Sequence, residues 1–103
     1  MADFYRGTTP TIQLNVGTDL REASALWLTV EDDYGREVML LKPSLTVTET
    51  TVSGTLTQAQ TLALSAGKVR IQLRAKLANS AAATEIMSAE LGDVLTEGEI
   101  GVG

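Results

Sequence analysis

Residues 68–77 read KVRIQLRAKL, and no other run in the chain alternates so strictly. Successive side chains of an extended strand point to opposite faces. Val69, Ile71, Leu73, Ala75 and Leu77 therefore share one face, while Lys68, Arg70, Gln72, Arg74 and Lys76 share the other. The outer row holds four of the chain's eight basic residues. It fits three descriptions: the solvated or cross-strand-paired side of a sheet, a docking surface for an acidic protein, or a polyanion footprint.

The same period recurs elsewhere. Residues 11–16 (TIQLNV) put Ile12, Leu14 and Val16 on one face, and residues 25–31 (ALWLTVE) put Leu26, Leu28 and Val30 inward with Trp27 and Thr29 opposite. Residues 17–24 between them are polar and turn-like. Asp32-Asp33-Tyr34-Gly35-Arg36 suits a tight reversal, because Asp tolerates turn geometry and Gly accepts positive φ. Residues 25–31 and 37–42 are thus expected to pair as an antiparallel hairpin, ended by Pro43, which lacks the ladder donor. Residues 45–49 and 52–56 make a threonine-rich pair of strands.

Thr57-Gln58-Ala59-Gln60 has the pattern of a capping box, predicting a short helix within residues 57–66. Gly67 can end it in left-handed geometry. After residues 68–77, residues 79–83 (NSAAA) read as a loop. Residues 84–91 read as a last strand whose inner face is either Met87, Ala89 and Leu91 or Ile86 and Ser88. Short strands at close spacing with one brief helix predict an all-β fold, a small antiparallel β-sandwich of Ig-like or jelly-roll-like type, with the helix before the penultimate strand. The expected organisation is an N-terminal arm over residues 1–10, the sandwich over 11–95 and a flexible C-terminal tail over 96–103.

At 103 residues, 44% of them hydrophobic, the chain suits one domain with a real core. A net charge of −5 repels polyanions, which sets nucleic acid last among the three readings of the basic row. No apolar run approaches the roughly 20 residues of a membrane span, and the first eleven residues lack the pattern of a secretory signal. A soluble chain made in the cytoplasm, with no membrane and no nucleic-acid partner, is the expectation.

The chain has no histidine and no cysteine. Ser-His-Asp and Cys-His arrangements, imidazole zinc sites and disulfides cannot be built from it. Carboxylates, lysines and hydroxyls remain. Asp32 and Asp33 are adjacent and read as a solvated hairpin tip, without the spacing of a calcium loop. Ser65-Ala66-Gly67-Lys68-Val69 departs from a phosphate loop, since Leu62 stands where the first glycine belongs and Val69 where the hydroxyl belongs. The expectation is no enzyme activity, no catalytic residues, no cofactor and no metal. Aromatics amount to 4% of residues, and Trp27, the single indole, is expected under a loop, a terminal segment or a partner subunit rather than as a stacking platform.

Arg6-Gly7-Thr8-Thr9-Pro10-Thr11, Leu56-Thr57-Gln58 leading to Leu64-Ser65-Ala66-Gly67, Val69-Arg70-Ile71-Gln72-Leu73-Arg74, and Gly92-Asp93-Val94-Leu95 with Gly98 and Ile100 form an ordered set. In that order they resemble a family of small proteins encoded among tail-module genes of phages and prophages of Gram-positive bacteria. The resemblance spans nearly the whole chain. It implies a structural component of a tail or baseplate, located in the virion, similar in architecture to tail-associated β-sandwich domains, with phage structural proteins as partners and a homo-oligomeric state.

Contact rather than chemistry is therefore the expected mode of action. Arg6, Trp27, Lys68, Arg70, Arg74 and Lys76 are the candidate partner interface, with residues 6–11 and 96–103 as arms reaching adjacent subunits. The runner-up is a carbohydrate-binding or host-adhesion sandwich module recognising a host-surface glycan, which requires Trp27 or Tyr34 exposed beside Asp32.

Overall fold

A computed structural model describes residues 2–84, 86–95, 98 and 100. The fold is all-β and sandwich-like. The described residues form nine strands, one short α-helix and a single 3-10 turn, in the order β1 (Phe4–Tyr5), β2 (Thr11–Asn15), β3 (Ala25–Asp32), β4 (Glu37–Leu41), the 3-10 turn (Lys42–Ser44), β5 (Leu45–Val47), β6 (Thr51–Thr55), α1 (Gln58–Leu62), β7 (Gly67–Lys76), β8 (Ala81–Ala83) and β9 (Met87–Gly92). The larger sheet runs β1-β9-β7-β3-β4, with β8 also paired to β7, and the smaller runs β2-β6-β5. Every pairing is antiparallel except that of β1 with β9.

β7 is the spine of the larger sheet. Val69, Ile71, Leu73 and Ala75 are buried against the smaller sheet, as the alternation requires. Leu26, Leu28 and Val30 of β3 are likewise buried, and the β3–β7 register places Leu28 beside Leu73 and Val30 beside Ile71. The expected hairpin forms between β3 and β4, with Gly35 at φ +82° in the turn. Gly54 of β6 packs against Leu28 and Leu40 of the larger sheet and Leu45 of its own. A Cβ on it would lie 2.7 Å from methyl groups of both Leu40 and Leu45, which leaves room only for hydrogen.

Thr57 caps α1 as the motif predicts. Its hydroxyl accepts from Gln60 N at 3.1 Å, and Gln60 Oε1 accepts from Thr57 N at 2.8 Å. The loop between β2 and β3 contributes more than its polar sequence suggests, for Leu20 and Ala23 are both buried. Lys42 holds this loop, donating to the carbonyls of Arg21 (3.1 Å) and Ala23 (2.5 Å).

Four expectations need correction. The segment expected as an N-terminal arm lies on its own chain: Phe4 and Tyr5 face Leu91 and Gly92 in parallel, and Asp3 N and Arg6 N donate to the carbonyls of Glu90 and Gly92. Residues 81–83, expected in a loop, form β8. Between β8 and β9 the register against β7 slips by one residue, since Ala83 faces Arg74 but Met87 faces Ile71. A bulge of this kind reverses which side chains face inward, and it resolves the last strand in favour of Leu91, which is buried. With β8 counted, the helix precedes the third strand from the end.

Asp32, expected at a solvated tip, is buried. Its Oδ1 accepts from Tyr34 N and Arg36 N and its Oδ2 from Ser65 N, each at 2.9 Å. Burial alone would push this carboxyl up. The amides of Ser65, Arg36 and Tyr34, with the Arg36 charge, outweigh it and hold the group below the usual carboxylate range. The tail expected over residues 96–103 lies largely outside the described residues. Of it, Ile100 is held by the buried Gln58 side chain, which donates to the Ile100 carbonyl at 2.9 Å and accepts from its N–H at 2.7 Å.

Candidate interaction face

The face of the larger sheet turned away from the core gathers most of the residues singled out in the sequence. Its cross-strand rows follow from the register. One row runs Leu41, Trp27, Arg74, Ala83; the next Met39, Thr29, Gln72; the next Glu37, Glu31, Arg70, Ser88. Lys76 lies beyond the first row beside Ala25 and Ala81, and Lys68 beyond the last beside Glu90. One end of the face thus sets Trp27 and Leu41 beside Arg74 and Lys76, and the other gathers Glu31, Glu37, Arg70 and Lys68.

Trp27 is half-buried among its neighbours. Met39 is 44% exposed and Leu41 50% on the strand beside Trp27, and Ile86, 60% exposed, lies on the far side of Gln72 and Arg74. A shallow depression of about 240 Å³ lies across the middle, lined by Thr29, Glu31, Glu37, Arg70, Gln72, Arg74 and Ile86.

Arg70 pairs with Glu31, directly opposite it on β3. Among the described residues, Lys68, Arg74 and Lys76 have no ion-pair partner and no side-chain hydrogen bond. The other four cations are committed elsewhere. Arg21 meets Asp19 and Glu49, Arg36 donates to Ser65, Lys42 holds two carbonyls, and Arg6 is part of the interior framework. In an acidic chain, the unspent positive charge is concentrated on one strand.

Arg6 does not belong to this face. Its Nε and Nη2 donate to the carbonyls of Leu64 (2.8 Å) and Leu62 (2.9 Å), and its Nη1 to Asp93 at 2.7 Å. The guanidinium ties β1 to the end of α1 and to the segment after β9, and its hydrogen bond holds the Asp93 carboxyl below its usual range. Met39, Leu41 and Ile86 were missed in the sequence. Residues 38–41 (VMLL) are apolar on both faces, so alternation carried no signal there.

Tyr34 is 76% exposed close in sequence to Asp32, whereas Trp27 is half-buried and does not join it in a common platform. They are seven residues apart at and beyond opposite ends of β3, roughly 20 Å in extended chain. The Asp32 carboxylate beside Tyr34 is already occupied by three backbone amides. Among the described residues, no three carboxylates gather where they could hold a metal ion, and no helix is long and apolar enough to cross a membrane. The chain matches no family model, no curated protein and no solved structure.

Proposed function

We propose that this chain is a non-enzymatic structural module of a phage or prophage tail, a baseplate or tail-associated part that works by binding other structural proteins. The observation that carries the contact reading is the juxtaposition of Trp27, Met39 and Leu41 with the uncommitted cations Arg74 and Lys76 on one face of the larger sheet, with Lys68 at its far end. An exposed apolar strip rimmed by charge marks protein interaction surfaces. Aromatic and arginine side chains supply the central anchors of such interfaces. Positive charge without an internal partner favours an acidic partner surface and gains little by remaining in water. The tail assignment itself rests on the sequence resemblance.

Mass spectrometry of purified particles tests the location, and co-purification with the products of adjacent genes tests the contact. Trp27→Ala and Arg74→Glu should each abolish co-purification while leaving the circular dichroism spectrum unchanged. Retention of the partner by both variants would defeat the assignment of this face.

A further inference from the structure

We infer that two copies of this chain pair through β2, antiparallel across a two-fold axis centred on Gln13. The inference stands on the smaller sheet and is independent of the function proposed above.

In an antiparallel ladder, alternate residues turn both backbone groups toward one neighbour. The bonds Val16 N to Thr50 O and Leu56 N to Pro10 O fix the phase of the β2–β6 ladder. The even residues Ile12 and Leu14 therefore bond to β6. Thr11, Gln13 and Asn15 turn their N–H and C=O groups to the open edge. β6 obeys the same phase on its far side, where Thr48 N bonds to Thr51 O of the β5 ladder.

Exposed edges are commonly blunted by charge, proline or shortness. The edge of β4 carries Glu37 and runs into Lys42 and Pro43, β5 has three residues, and β1 has two. β2 has five residues and no charge; Pro10 flanks it, but only on the side of the even residues, which bond to β6. It also borders a groove of about 560 Å³ with no charged side chain among the described residues that line it, Gln13, Asn15 and Thr18 lying along one wall and Ala82, Thr84 and Met87 along the other.

An extended strand without charge complements such an edge, because none of the described residues that line the groove offers a counter-ion. Residues 7–18 of the chain are such a segment: they carry no charged residue, although one residue in five of the whole chain is charged. A second β2 laid antiparallel with Gln13 against Gln13 brings Thr11 opposite Asn15 at both ends. All three outward residues then meet their counterparts in phase, with two main-chain hydrogen bonds per facing pair. The arrangement is isologous and closes at two copies.

Sedimentation velocity over a range of protein concentrations tests this. The wild-type chain is expected to form a reversible dimer. Gln13→Lys sets lysine against lysine on the axis and should weaken pairing about fivefold or more. Thr11→Lys with Asn15→Lys should also prevent pairing. Thr11→Glu with Asn15→Lys sets opposite charges face to face and should retain it. Circular dichroism confirms that each variant is folded. A wild-type chain that is monomeric at every concentration, or a dimer indifferent to Gln13→Lys, overturns the inference. So does a dimer lost on Trp27→Ala but kept in Gln13→Lys, because it would place the contact on the larger sheet.

Discussion

Asp32 offers the most direct test of how the hairpin is held. Asp32→Asn preserves the side chain's shape and can still accept from Tyr34 and Arg36 through its remaining oxygen. Its amide nitrogen, however, must then face the N–H of Ser65, donor against donor, where the carboxylate accepts at 2.9 Å. Leaving one buried donor unsatisfied costs about 1–3 kcal/mol. For a domain of this size each kcal/mol lowers Tm by about 4–8 °C. Asp32→Ala removes all three acceptor contacts and should cost about 2–4 kcal/mol, with water reaching the more exposed amides. The pH dependence gives the sign. The folded carboxyl titrates below its unfolded value of about 4. Its stabilisation is therefore complete above that value and is lost as pH falls through the lower folded one. Chemical denaturation from pH 7 to pH 2 should show a constant gap between wild type and Asp32→Asn down to about pH 5. The gap should close on further acidification. Equal stabilities at neutral pH, or parallel acid transitions, would refute the reasoning.

Three further substitutions probe other joints. Gly54→Ala adds a methyl 2.7 Å from Leu40 and Leu45 and should destabilise by about 1–3 kcal/mol in thermal unfolding, through overpacking and not backbone strain. Thr57→Ala removes the cap of α1 and should cost about 1 kcal/mol by denaturant titration. Arg6→Ala frees the carbonyls of Leu62 and Leu64 and loosens β1, so hydrogen exchange should accelerate at the amides of Asp3 and Arg6, which bond to β9, before it does in β7.

What could be read from the sequence was what is encoded locally. β7 and β3 announce themselves because a period of two is a property of consecutive residues, and the capping box spans four. The features that escaped depend on distant partners. Asp32 is buried because Ser65, 33 positions later, supplies its third amide. Phe4 and Tyr5 form a strand only because β9 lies beside them, and two residues carry no period. Ala81, Ala82 and Ala83 offer no contrast between faces, and the register slip after them breaks the alternation that would have shown the rest of the edge. Within the candidate face, Trp27 and the β7 cations were legible as an outward row. The place of Arg6 was not, since its acceptors are two backbone carbonyls and Asp93, 87 residues away.

The pairing edge of β2 and the Trp27 face are carried on different sheets, which gives the proposals a joint consequence. A pair joined through the β2 edge leaves the Trp27 face of each copy uncovered, because that face belongs to the larger sheet and turns away from the smaller one. Such a pair would present two equivalent faces, and a partner displayed in several copies could engage both at once. The second engagement is then intramolecular, with the gain in avidity that follows. Gln13→Lys should therefore weaken binding to an immobilised, densely arrayed partner while leaving binding to a single soluble partner unchanged. Trp27→Ala should weaken both. Surface plasmon resonance at high and low partner density separates these cases. Equal loss at both densities for Gln13→Lys would show that the β2 edge is part of the partner contact itself and that the separation of the two surfaces is mistaken.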